Sequence, residues 1–303
     1  MSISRRRFLE GSVATVGLAA VPLRTVLAGE SPDIVDVEGT DHAAMVKTAI
    51  DGLGGINKFV RKGDYVVLKP NAGFANPEAW GTTTHPQTVL AVAKMCLEAG
   101  AKKITLVEFP LGKGMKCLER CGIAAVVENM PEVSIKILGV ESDFKQVKVK
   151  GGVALQSTDI AKQVLSADVL INIPAAKHHS ATGVSLGLKN AMGLIYDRQT
   201  FHTHIDLQQG IADLGRVIKP TLTIVDATRA LLTNGPAGPG ESSTPNRMIA
   251  GFNVVSVDAY TLGVARFGNR QLQVSDVPHI RLAGEAGLGE TDVKKLRIKQ
   301  VKV

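Results

Sequence analysis

The chain has 303 residues, and its 35 Lys and Arg against 28 Asp and Glu give a formal net charge of +7. Basic residues alternate with acidic ones over most of the length and no Lys/Arg block interleaves with aromatics, so no nucleic-acid partner is expected. Three cysteines, Cys96, Cys117 and Cys121, are too few for a disulfide framework or for a four-thiolate iron–sulfur cluster within one chain.

The N-terminus reads Ser4-Arg5-Arg6-Arg7-Phe8-Leu9-Glu10 and runs into an apolar stretch from Gly11 to Leu27. Paired arginines before Phe-Leu, then an apolar run too short and too rich in Gly and Ala to span a bilayer permanently, read as a twin-arginine export signal. Val26-Leu27-Ala28 places cleavage after Ala28. The expectation is a signal over residues 1–28 and one α/β domain over 29–303, the C-terminal third being a candidate subdomain. Such a chain meets the twin-arginine translocase, leaves the cytoplasm folded for the periplasm or another extracytoplasmic space, and keeps no permanent membrane anchor. Removing the signal takes away Arg5, Arg6, Arg7, Arg24 and Glu10, so the net charge falls from +7 to +4.

After a polar lead-in, apolar spacing predicts a helix from His42 to Phe59 and a buried strand at Tyr65-Val66-Val67-Leu68, stopped by Lys69-Pro70-Asn71. Pro86 suits a first helical turn, so a helix follows over Gln87 to Glu98, then the strand Lys103 to Glu108. Further on come a helix from Gly114 to Asn129, a strand at Val133 to Leu138, an extended pair over Phe144 to Val153, and a short helix near Thr158 to Leu165. Asp168 to Ile173 is a second buried strand, followed by a loop and a helix. A helix from Leu207 to Ile218 is closed by Pro220 and leads to the strand Leu222 to Asp226. The remainder holds a Gly/Pro loop at Gly235 to Gly240, helices from Ser256 to Phe267 and Val277 to Ala283, and a terminal basic strand. Strands alternating with helices predict a layered, mostly parallel sheet with helices on both faces.

In such a sheet, loops at the carboxyl ends of the strands meet along one edge, where ligands bind. The polar residues concentrate there: Lys69 and Asn71, Glu108, Lys177-His178-His179, and Asp226. The densest segment runs from Pro174 to Gly193. Two histidines directly after a strand, then a small-residue loop opening a helix, present imidazoles and free N–H groups to an anion, and Lys189 points from that helix into the same cleft. His202 and His204 alternate and share a face if extended. The hydroxyl run Thr82-Thr83-Thr84 before His85-Pro86 either forms a second anion cradle, with His85 as a proton carrier, or simply caps the helix that follows through Thr84 or His85. On this reading Lys69, Asn71 and His178 are candidate substrate contacts, with Ser185, Asn190, Lys189 and Thr84 candidates for holding a cofactor.

The segments Val67-Leu68-Lys69-Pro70-Asn71, Glu98 to Lys103, Ala167 to Pro174 with Lys177-His178, Leu188-Lys189-Asn190-Ala191-Met192-Gly193, and Asp213 through Asp226 to Asn234-Gly235-Pro236 together resemble the domain-of-unknown-function family numbered 362 over residues 35–265. Many members carry appended ferredoxin-like clusters. This chain lacks the cluster cysteines, so the resemblance does not extend to an electron carrier. Thr83-Thr84-His85, His179 with Ser185 and Lys189, and His204 are similar in order and interval to the amino-terminal domain of nickel-dependent lactate racemase. That resemblance implies His85 and His179 as proton-moving bases, Lys189 as anchor of a nickel-bearing nucleotide, and His204, with His202 nearby, as metal ligands. Where the racemases place an Arg near the end of the first strand, this chain has Lys69-Pro70-Asn71. The resulting expectation is an exported protein acting on a small carboxylate by racemisation, epimerisation or a related proton or hydride transfer, with a metal or metal-nucleotide centre. The alternative is a periplasmic ligand- or metal-binding accessory protein of a redox system.

Overall fold

A computed structural model describes residues 31–303, so the expected export signal lies outside the described residues. In chain order the elements are β1 (Ile34–Glu38), α1 (His42–Gly52), β2 (Tyr65–Pro70), α2 (Pro86–Glu98), β3 (Lys103–Glu108), α3 (Met115–Arg120), α4 (Ile123–Val127), β4 (Val133–Ile137) and β5 (Phe144–Lys148). There follow β6 (Ser157–Ala161), α5 (Lys162–Ser166), β7 (Val169–Ile173), β8 (Ala175–His179), β9 (Gly183–Ser185), α6 (Gly187–Asn190), α7 (Arg198–Thr203) and α8 (Leu207–Leu214). The chain closes with β10 (Leu222–Leu231), β11 (Ser242–Ser243), β12 (Arg247–Gly251), α9 (Val254–Thr261), α10 (Pro278–Glu285) and β13 (Ile298–Lys302).

Eleven strands form one sheet whose main path is β13-β1-β12-β10-β7-β2-β3-β4. Along that path only β12 runs against its neighbours, pairing antiparallel with both β1 and β10. Side chains alternate between two separate cores, as the two-residue period of a strand requires. Val66, Leu68, Val169, Ile171 and Ile224 pack with α1 to α4 on one face. Val67, Leu170, Val225 and Ile249 pack with α8 to α10 on the other. The fold is thus an α/β sheet, mostly parallel, with helices on both faces.

Order matters for the site. From β2 the chain builds outward through β3 to β4, then returns to lay β7 and β10 on the other side of β2. The carboxyl ends of β2 and β7 therefore flank a topological switch point, where an open parallel sheet leaves a crevice.

Several local expectations differ from the structure. The polar lead-in contains a buried strand, β1, whose Asp36 is fully buried because Arg247 pairs with it and the Tyr260 hydroxyl donates to it. The helix expected over Thr158 to Leu165 is instead β6, paired antiparallel with β5 in a separate two-stranded sheet, followed by the short helix α5. The helix expected over Gly114 to Asn129 breaks into α3 and α4 at Gly122, whose φ of 83° lies in the left-handed region that L side chains rarely adopt. His202 and His204 do not share an extended face: Asp197 caps α7, so His202 is helical and His204 ends the helix.

Candidate functional site

The carboxyl ends of β2, β3 and β7 are tied together by a buried polar network. Asn190 links the first and third, donating to the Lys69 carbonyl at 3.1 Å and to Asn172 Oδ1 at 2.8 Å. Lys69 Nζ meets Glu108 Oε2 at 2.8 Å with both side chains almost wholly excluded from solvent. Glu108 also accepts from the N–H groups of Ala72 and Phe109. Gly193 closes over this pair. A Cβ there would stand 2.6 Å from Glu108 Oε1 and 2.9 Å from Lys69 Nζ, which is why the Ala-Met-Gly turn needs glycine at that position.

Above the network lies a cavity of about 600 Å³ lined by Asn71, Phe74, Glu108, Phe109, Lys177, His179, Ser185, Lys189, Asn190, Tyr196, Asp197, Arg198 and His202, among others. Its cationic wall follows from strand periodicity. Lys177 and His179 alternate with His178 on β8, and the β8–β9 register sets Ser185 opposite Lys177. Lys177 is fixed, donating to Asn71 Oδ1 at 3.0 Å and to the Thr82 carbonyl at 2.6 Å. Arg198 stacks over the Phe109 ring, 3.8 Å from its centroid, and donates to the Phe109 carbonyl. Among the described residues the Lys189 ammonium has no hydrogen-bond or ion-pair partner.

Burial, reinforced by the Lys189 charge, pushes Lys177 down to about 7. Burial and the nearby Arg198 push Lys189 down to about 8. The carboxylates in the wall relieve this excess only in part, because Glu108, which favours the charged Lys177, is bonded to Lys69, and Asp197 caps α7 through the Thr200 N–H and hydroxyl. Burial together with Lys189 and Lys177 pushes His179 down to about 3, so its ring is neutral near pH 7. Its Nδ1 accepts from the Ala181 N–H at 3.2 Å, which assigns the ring proton to Nε2 and makes the imidazole a donor to a ligand.

The residues singled out in the sequence divide into two groups. His179, Ser185, Lys189, Asn190, Asn71 and His202 line the cavity. Lys69 lies behind the wall, bonded to Glu108. Thr84 is a buried latch, its Oγ1 donating to the Ile173 carbonyl and accepting from the Asn71 N–H. His178 points away from the cavity and accepts from the Gly235 N–H, which fixes the loop bearing Pro236. His85 is outside as well: it caps α2 and stacks on His42 at 3.8 Å between ring centroids. His204 is exposed and bonds the Thr203 hydroxyl. His85, His179, Lys189 and His204, grouped by the racemase resemblance, therefore do not converge on one cleft.

The donor set does not fit a histidine-ligated metal. Nδ1 of His179 is engaged, His204 is outside the cavity, and among the described residues no group of three or more His, Cys, Asp or Glu is placed to hold a metal ion. Cys117 and Cys121, spaced by one helical turn, are buried thiols whose pKa values burial raises. Three cavity residues carried weaker sequence signals. Glu108 and Lys177 ended strands but shared that trait with solvated residues, and nothing local marked Arg198, which reaches the cavity only through the fold.

Comparison with known proteins gives three results. The family model described as a domain of unknown function, DUF362, matches residues 66–263. The thylakoid-associated protein sll1697 of Synechocystis sp. is 26% identical over 261 residues, covering 82% of this chain and 76% of that protein. The lactate racemase apoprotein from Thermoanaerobacterium thermosaccharolyticum aligns with a TM-score of 0.41 at 13% identity, covering 69% of this chain and 54% of that one, so the chain spans about half the length of the racemase. Among the described residues no helix is long and apolar enough to cross a membrane.

Proposed function

Since the chain belongs to the DUF362 family, whose description assigns no activity, we propose a function from the cavity itself: the protein binds a small carboxylate-bearing ligand between Lys177, Lys189 and Arg198. The observation that carries this reading is a buried cationic wall whose neighbouring carboxylates are committed elsewhere. An entering anion supplies the missing counter-charge, and charge-assisted bonds to fixed donors are the strongest polar contacts available to it. The second N–H of the Asn71 amide and the Nε2–H of His179 add neutral donors, while the Phe74, Phe109 and Tyr196 rings line the remainder.

Thermal denaturation of the purified protein with lactate, pyruvate and inorganic phosphate tests the reading. Saturable stabilisation by the carboxylates, weakened by salt and lost when Lys177 and Lys189 are both replaced by Met, is the expected result. No stabilisation by any small carboxylate would refute it. Stabilisation by phosphate alone would change the ligand class.

An amine kept close to neutrality suits proton transfer at the carbon beside the carboxylate. Exchange of deuterium from solvent into C2 of lactate separates this enzymatic role from a binding-only accessory role, in which the ligand stabilises the protein and leaves unlabelled. Arg5-Arg6 and the apolar run to Leu27 support export of the folded protein by the twin-arginine translocase to the periplasm. The double change Arg5→Lys, Arg6→Lys is expected to retain the protein in the cytoplasm, and unchanged export would contradict that route.

A further inference from the structure

Resting on the carboxylate-binding reading, we infer that the ligand is a 2-oxo acid and that Lys189 captures its carbonyl carbon as an imine. The two lysines in the cavity wall are held differently. Lys177 is held in place by its bonds to Asn71 Oδ1 and the Thr82 carbonyl, so it serves as a fixed donor to which a bound carboxylate restores the charge. Lys189 has no acceptor among the described residues, yet its backbone is firmly placed. Asp258, fully buried, accepts the N–H groups of Gly187 and Leu188 at 2.8 Å each, which anchors the helix that presents Lys189.

A free amine on an anchored helix, beside fixed cations, matches a ligand whose carboxylate is bonded directly to an electrophilic carbon. Lys177 and Arg198 take the carboxylate, and the adjacent carbonyl then lies within the same wall as Lys189. Desolvation next to other positive charges is also how a lysine becomes nucleophilic, and burial and Arg198 hold Lys189 at about 8. A 2-hydroxy acid offers the same carboxylate without the electrophile, so it binds and forms no imine.

The step balances without a redox partner. The neutral Lys189 amine forms a C–N bond to the carbonyl carbon as the C=O π pair moves to oxygen. A nitrogen-bound proton passes to that oxygen to give a carbinolamine. The C–O bond then breaks with uptake of one proton, releasing water and leaving a protonated C=N bond. Ser185, at the end of β9 just before the helix that bears Lys189, lines the same cavity with no hydrogen-bond partner among the described residues and is placed to relay the proton between nitrogen and oxygen.

The test is incubation of the purified protein with pyruvate and sodium cyanoborohydride at roughly pH 7.5, followed by intact mass and peptide mapping, with thermal shifts by pyruvate and lactate recorded in parallel. The fraction of neutral amine at Lys189 exceeds that of an ordinary lysine by about two hundredfold there. One reduced pyruvyl adduct on the Lys189 peptide, absent from Lys189→Arg and absent with lactate, is expected. A pyruvate-dependent thermal shift with no adduct, or with adducts only on Lys177 or exposed lysines, overturns the imine and leaves the binding reading standing. Neither shift nor adduct overturns both.

Discussion

Lys69 and Glu108 form a buried ion pair at 2.8 Å beneath the cavity, and this pairing sets the cavity's charge. Glu108 also accepts two backbone N–H groups. Lys177 and Lys189 therefore face the space above with no ion-pair partner among the described residues.

Glu108→Gln strands a buried ammonium and is expected to destabilise the fold by about 3–5 kcal/mol, because the desolvated ion then keeps only the neutral Pro70 carbonyl and Asn190 Oδ1 as acceptors. Replacing both members, Lys69→Met with Glu108→Leu, is expected to cost far less. Urea denaturation measures both, and a double variant as unstable as the single one would contradict the account of the pair.

Gly193→Ala places a methyl group 2.6 Å from Glu108 Oε1. The expected loss is about 1–3 kcal/mol, typical of an overpacked core. Wild-type stability in this variant would mean that the turn does not press on the pair.

Much of this was legible beforehand, and the failures share a cause. The central strands announced themselves because Val66 to Leu68 and Val169 to Ile173 are buried on both faces and read as continuous apolar runs. The cationic loops were legible because parallel strands deliver their carboxyl ends to one edge. What local pattern could not supply was direction. His178 and His179 are adjacent in sequence, yet alternation on β8 sends them to opposite sides. Thr84 and His85 had the composition of an anion cradle, but the latch to Ile173 and the cap on α2 claim their polar atoms. β1 escaped notice because its buried Asp36 is neutralised by Arg247, 211 residues away in the chain.

Lys177, held at about 7, has an ordinary value of 10.5 when unfolded. Between those values the unfolded chain binds a proton that the folded chain has released, so stability rises with pH across the window from about 7 to 10. Lys189 acts in the same direction over a narrower span from about 8. Thermal denaturation across this range should show the rise, and Lys177→Met should flatten it. A bound carboxylate favours the charged lysines, so binding takes up protons; calorimetry in two buffers of different ionisation enthalpy reads the sign, and proton release would contradict the charge assignment.

Replacing His85 or His204 by Ala should leave ligand binding intact, since both lie outside the cavity, although His85→Ala is expected to lose about 1 kcal/mol of stability with its helix cap. His179→Ala should weaken binding, because it removes the Nε2–H donor from the wall. Loss of binding on removal of His85 or His204, with the fold intact, would restore the histidine-centred arrangement.

The most direct measurement is a crystal structure of the protein soaked with pyruvate. Density is expected in the cavity, with a carboxylate within hydrogen-bond distance of Lys177 and Arg198 and the adjacent carbon against Lys189. Pyruvate bound elsewhere, or a cavity left to water at a concentration that stabilises the protein, would contradict it.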